Sequence, residues 1–487
     1  MAIPPIRLRA VNQQSVDPGG EYVLYWMIAQ RRSRWNFALD HAVDRCLELG
    51  KPLLVLEALR CGYRWASDRL HRFVLEGMVD NARAFDAAGV RYYAYVESEA
   101  GEGRGLLEAL ASRAALVITD DYPAFFLPRM VEAAGERLRT RLDAVDSNGL
   151  LPLNAADKVH KRAVDLRRFL QKTLPPHLAQ KPSATPLAPL AGIVAAAPPV
   201  EALKRWTDRS GELRRGEIPD LAALPIDHAV VPVEERGGAE AAAQRLQDFF
   251  DIGLPRYGEG RLDLDHPSTS RLSPYLHFGH ISTHQVFSEL MEREGWQAED
   301  LGTTTRGQRE GWWGVGAEAE SFLDELVTWR ELGFNNCRFL DEFDTYGSLP
   351  EWSRKTLEDH LDDPRPELYE LDAFERAETH DELWNAAQRE LVQTGRIHNY
   401  LRMLWGKKIF EWSPTPQLAL DVMIELNNKY ATDGRDPNSY SGIFWVLGRH
   451  DRAWGPERPI YGKVRYMTSD SARRKLRMGS YLHRHRA

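Results

Sequence analysis

The run TSRLS (Thr269, Ser270, Arg271, Leu272, Ser273) leads into PYLHFG at 274–279, setting clustered hydroxyls and backbone N–H groups at the start of a helix. Such a cluster can cradle a phosphate or pyrophosphate, and read alone it is equally an ordinary helix cap. His277, His280 and His284 share helical spacing, but no acidic or cysteine ligand joins them, so no metal site is expected. Indoles are the third resource. Ten of the 14 tryptophans lie at or after Trp296, a heavy loading for a core alone. Trp405 and Trp412, seven apart, share one helix face about 10 Å apart along its axis, and Trp384 stands on another helical stretch. These three form either a packed aromatic stripe or a relay of oxidisable side chains to a buried redox cofactor.

Charge and length bound the rest. A chain of 487 residues implies two or three domains. Its net charge of −8 argues against a uniformly basic surface. Yet Tyr461 to Ala487 carries Lys463, Arg465, Arg473, Arg474, Lys475, Arg477, Arg484 and Arg486 against Asp470 alone. A local basic face suffices for phosphate contact, and a solvated basic tail is the alternative. Cys46, Cys61 and Cys337 are too few for a disulfide framework or a four-cysteine metal site. No run approaches ~20 apolar residues and the N-terminus has no apolar signal region, so a cytoplasmic protein off the membrane is expected.

The elements that must position these residues differ between the two halves. Apolar runs at 22–26, 52–56, 90–96 and 115–119 alternate with amphipathic stretches such as 67–88, which predicts a parallel sheet with helices on both faces. Residues 101–105 (GEGRG) do not form a dinucleotide fingerprint. Residues 181–200 are rich in Pro and Ala and read as a linker. Helical patterns then dominate at 239–250, 283–293, 317–332, 380–394 and 416–430. The expected layout is an α/β doubly wound domain over 1–180, a linker over 181–215 and an all-α domain over 216–487.

Longer motifs add a resemblance. FLDELVTWREL (322–332), THDELWNAAQ (379–388), NNKYATDGRDPN (427–438) and GRHDRAW (448–454) through GKVRYM (462–467) resemble class II photolyases, in order and across nearly the whole chain. In the first half, YWM (25–27) with NFAL (36–39), and VDSNGLLP (145–152), resemble the family's first and last strands. There are departures. The family's paired glutamates appear as Asp324 and Glu325, its usual Phe is Tyr461, the loop at 455–457 is one residue longer, and Thr468 replaces Asn. The 269–273 run and HNYLRM (398–403) look more like class I.

The resemblance implies light-driven repair of cyclobutane pyrimidine dimers in UV-damaged DNA by a monomer. An excited reduced FAD in the helical domain would pass an electron to a flipped-out dimer. It assigns Tyr257, the 269–273 turn, Arg402, Asp433, Gly434 and Arg435 to FAD. Asn427 would lie near the reactive ring nitrogen, although an ordinary polar helix residue is the other reading. Asn399 is grouped with the catalytic residues. Glu325 would hydrogen-bond the dimer's carbonyls, best as a buried carboxyl able to offer a proton. Trp329 and Trp445 would wall the dimer, and Trp405, Trp384 and Trp412 would conduct electrons inward. Arg449, Arg452, Lys463 and Arg465 would meet the DNA backbone without sequence preference. A deazaflavin antenna chromophore is the family's choice for the N-terminal domain, although no pocket for one is legible. The rival readings are a cryptochrome-like photoreceptor, a (6-4) photoproduct enzyme, which Asn399 opposes, and a dark flavin oxidoreductase, for which no nicotinamide fingerprint stands.

Overall fold

The computed structural model describes residues 3–486. The chain forms two compact units. One comprises Met1–Ala156, Thr173–Leu246 and Leu272–Gly295; the other comprises Asp157–Lys172, Gln247–Arg271 and Trp296–Ala487.

The first unit is built on a six-stranded sheet. Its strands are β1 (Leu8–Ala10), β2 (Tyr22–Met27), β3 (Leu53–Leu59), β4 (Arg91–Val96), β5 (Ala114–Asp120) and β6 (Leu142–Val145). Their order is β1-β6-β5-β2-β3-β4, with β1 antiparallel to β6 and every other pairing parallel. β2 and β5 are buried along their whole length, as continuous apolar runs require when helices cover both faces. The strand order reverses at β2. There the Asp120 carboxylate, at the end of β5, accepts from the backbone N–H groups of Ile28, Ala29 and Gln30 at 2.8–2.9 Å and from the Tyr25 hydroxyl at 2.7 Å. One side chain thus satisfies the turn leaving β2. The VDSNGLLP run is strand only at Val145; beyond it the Asp146 carboxylate accepts from Asn148 N and Leu153 N and turns the chain.

The expected linker packs into this unit. Leu187, Leu190 and Leu213 join its apolar core, and the Trp206 indole donates to the Glu102 carbonyl. His280 is buried as well, stacked on Phe73 and accepting from Gly238 N at 2.8 Å. Burial pushes its pKa down to about 3, so it is a neutral core group. Gly77 is the residue that lets it in, because a Cβ there would stand 2.4 Å from His280 Nε2.

The second unit is helical. Residues 157–172, expected with the sheet, belong to it: Asn335 accepts from His160 N and donates to Lys158 O, and Arg167 pairs with Asp324. The helices that carry site residues are Glu382–Thr394, Asn399–Glu411, Pro416–Tyr430 and Pro437–Val446. Asp381 caps the first, and Gly395 ends it with a φ of 69°. Between Ala317–Leu323 and Arg330–Phe339 the chain Asp324–Trp329 is π-wound, a local widening often found at functional sites. No helix among the described residues is long and apolar enough to cross a membrane.

Replacing Asp120 by Ala strips three buried backbone donors and a phenol of their acceptor. Urea titration should show a loss of at least about 3 kcal/mol, at ~1–3 kcal/mol per unsatisfied buried donor. An unchanged midpoint would mean that the turn does not depend on this carboxylate.

Candidate active site

Two adjacent amides organise the polar part of the site. Asn427 and Asn428, both buried, end the Pro416–Tyr430 helix. Asn427 Nδ2 donates to Asn428 Oδ1 at 3.0 Å and to Ser439 Oγ at 2.9 Å. Asn428 Oδ1 also accepts from Arg435 N, and its Nδ2 donates to the Tyr440 hydroxyl. The turn 431–436 is thereby fixed to helices on both sides. Gly434 is required inside it, since a Cβ would lie 2.8 Å from the Asn427 carbonyl oxygen. Arg435 takes a left-handed φ of 69° and is buried. On the turn's open side Asp433 pairs with Arg402 at 3.4 Å, both half-buried.

The carboxyl pair on the π-wound segment divides by environment. Asp324 is buried and paired with Arg167 and Arg309. Glu325 keeps 29% of its side chain exposed and is held by Arg261 at 2.5 Å. Burial raises the Glu325 pKa despite the neighbouring guanidinium. Arg261, which the sequence reading missed, also lies over the Tyr257 ring. Tyr257 itself is buried against Phe249 and Phe322. Asn399, the exposed first residue of its helix, follows His398.

Trp329 and Trp445 are together, but not as facing walls. Their rings stack at 4.7 Å and 18°, which leaves no slot between them. They form one two-ring platform.

The three relay candidates are buried and contiguous. Trp384 Nε1 donates to the Trp405 carbonyl at 3.0 Å, and the Trp384 and Trp412 rings meet edge-on at 5.9 Å. Tyr369 and His380 pack on Trp412 at 5.7 and 4.9 Å, extending the aromatic chain to less buried positions. The Trp405 indole donates to Gln388 at 2.8 Å, a partner on another helix that no spacing rule indicated.

In the 269–273 turn, Arg271 has a φ of 55° and the chain passes from the second unit to the first between Arg271 and Leu272. Thr269, Ser270 and Arg271 are half-buried, Leu272 is buried and Ser273 is exposed.

Arg449 must be reassigned. It is 4% exposed, donates to the Phe343 carbonyl and Ser348 hydroxyl, and lies 3.8 Å over the Phe444 ring. Burial lowers its pKa to about 10, so it is a loop fastener that cannot meet DNA. Arg452, Lys463 and Arg465 are exposed. Arg452 and Arg465 both stack on Trp454, an exposed indole that the sequence reading passed over although it sits among arginines.

These residues fit a flavin dinucleotide in the chemistry of their donors: hydroxyls and main-chain N–H groups at 269–273, an ion pair at Arg402 and Asp433, and a buried amide at Asn427.

No protein-family model matches the chain. It is 34% identical over 483 residues to a deoxyribodipyrimidine photo-lyase of Methanothermobacter thermautotrophicus, covering 98% of this chain and 97% of that protein. It is 31% identical over 499 residues to the enzyme of that name from Arabidopsis thaliana, covering 99% and 93%. Among solved structures, a bacterial class III photolyase from Agrobacterium tumefaciens matches with a TM-score of 0.66 at 17% identity, over 96% of this chain and 86% of that one. A Synechocystis cryptochrome matches at 0.65 and 15%, over 95% and 88%. Full-length similarity to the photo-lyases and the shared fold agree: the chain belongs to the photolyase/cryptochrome family.

Proposed function

We propose that this protein is a class II-type enzyme that repairs cyclobutane pyrimidine dimers in DNA. The observation that supports it most is a half-exposed carboxyl, Glu325, on the same short segment as Trp329, whose ring is stacked on Trp445. An acid beside an aromatic platform suits a flipped-out, non-planar pyrimidine pair. The platform takes its face, and the carboxyl meets carbonyl oxygens on which charge develops. The raised pKa of Glu325 helps it offer a proton. Arg261 donates to the Glu325 carboxylate, whereas a protonated Glu325 would donate to a lesion carbonyl.

FAD, when bound, supplies a light-driven one-electron transfer. The chain's own groups do the rest. Hydroxyls and N–H groups at 269–273 bind its phosphates, with Tyr257 nearby in the chain. Arg402 with Asp433 and the 434–435 turn hold the ring system, and Asn427, whose Nδ2 hydrogens are both engaged, offers its amide oxygen to it. Trp405, Trp384 and Trp412 carry electrons inward from the surface. Arg452, Lys463 and Arg465 contact phosphates, and exposed Asn399, next to His398, joins the catalytic groups. A deazaflavin antenna in the sheet unit remains part of the same proposal, as do a monomeric state and a cytoplasmic setting.

Reduced protein and an oligonucleotide containing a thymine dimer test this reading. Dimers should disappear under blue light and persist in darkness. Bound flavin with equal survival in both would instead favour a photoreceptor. Glu325→Ala should retain flavin and lower the repair yield per absorbed photon several-fold, because a hydrogen bond from a charged or ionisable group, worth ~1.5–3 kcal/mol, is lost. An unchanged yield would remove Glu325 from the chemistry.

Trp405→Phe separates relay from packing. It deletes the bond to Gln388 and should lower stability by roughly 1–3 kcal/mol. Flavin photoreduction should stop while repair by chemically reduced enzyme continues. Normal photoreduction together with a much lower melting temperature would make Trp405 a core residue only.

A further inference from the structure

The basic C-terminal stretch divides between two surfaces. One is the Trp454 loop with Arg452, Lys463 and Arg465. The other is the helix Ser469–Lys475 and the residues after it. Thr468 and Ser471 cap that helix reciprocally. One face is fastened down. Ser469 bonds Asp381, Arg473 pairs with Glu382 at 3.5 Å, and Ala472 and Leu476 are buried. Further on, the Tyr481 hydroxyl donates to Glu390 at 2.7 Å. Arg474, Lys475 and Arg477 remain exposed.

Their placement is specific. Arg477 N donates to the Leu262 carbonyl at 2.9 Å, and Leu264 N donates to the Arg477 carbonyl at 2.8 Å. This backbone clamp fixes Arg477 against the 262–264 segment, which follows Arg261, the partner of Glu325. The Lys475 ammonium lies 4.5 Å over the Tyr400 ring, next to Asn399. Neighbouring acids are already engaged: Asp265 with Arg484 and Ser480, Asp263 with backbone N–H groups of its own loop, and Asp381 with its helix cap. Asp470, at the far end of the helix, is the one exposed acid in this stretch.

We propose that Arg474, Lys475 and Arg477 form a second phosphate-binding surface for DNA, separate from the Trp454 loop. This rests on the DNA-repair reading. Extruding a dimer costs pairing and stacking energy, and backbone contacts that carry no sequence information can offset it at any lesion.

The test is dark binding of dimer-containing and undamaged duplex across a salt series. The variant Arg474→Gln, Lys475→Gln, Arg477→Gln should keep its flavin and melting temperature. It should lose affinity by the same factor for both duplexes. Its log–log salt slope should fall by about 2–3, at ~0.9 per phosphate contact. Arg474→Lys with Arg477→Lys should keep the wild-type slope. An unchanged slope in the Gln variant, while Arg452→Gln with Arg465→Gln lowers it, overturns the proposal and leaves the DNA reading intact. An equal loss in the Lys variant overturns it too, since charge would not be the cause. Wild-type protein that shows no salt-dependent DNA affinity would overturn both.

Discussion

The candidate site depends on one buried polar contact, the amide pair Asn427–Asn428. Buried amides are tolerated only when their donors and acceptors are met. Here both Nδ2 groups and the Asn428 oxygen are met within the pair and from two places in the chain: Arg435 N in the turn, and Ser439 and Tyr440 in the following helix. That requirement fixes the turn holding Asp433 and Gly434 and sets the direction of the Pro437–Val446 helix. Trp445 rides on that helix, so the platform with Trp329 is aligned by a hydrogen-bond network lying five and more residues behind it. A network of this kind is costly to break in part, which makes the site rigid before any ligand arrives.

Burial then sorts side chains of the same type into different tasks. Asp324 and Glu325 are neighbours in sequence. The first is fully enclosed and neutralised by two arginines, while the second keeps an open side and a raised pKa. Arg449 and Arg452 divide in the same way: one satisfies a carbonyl and a hydroxyl inside, the other stands in solvent over Trp454. The tryptophan cluster is packed as a core. Trp384, Trp405 and Trp412 are core residues by burial; the Trp384 and Trp412 rings meet edge-on, and Trp405 joins them through its carbonyl.

Much of this was legible in the residues themselves. Apolar runs on a short pitch read correctly as buried parallel strands, and helical periodicity located the Glu382–Thr394 and Pro416–Tyr430 helices to within a few residues. Long ordered motifs brought Glu325, Asn427, the Arg402–Asp433 pair and the three relay indoles onto one short roll. The structure adds the bonds Trp384–Trp405 and Arg402–Asp433 within a single unit. The 181–200 run reads as a linker because Pro and Ala without charge look the same there as in an arm laid on a core. Only leucines meeting a distant core distinguish them.

What the sequence determined by itself was the set of elements and the chemical inventory, because periodicity and residue type act locally. What only the tertiary structure decided was which members of that inventory face a partner, a cavity or solvent. Arg261 meets Glu325 across 64 residues, Gln388 meets Trp405 from another helix, and Trp329 stacks on Trp445 instead of opposing it. No local rule encodes such meetings. They follow from helices packing at fixed angles, and from the need of each buried charge or amide to find its counterpart wherever the chain has carried it.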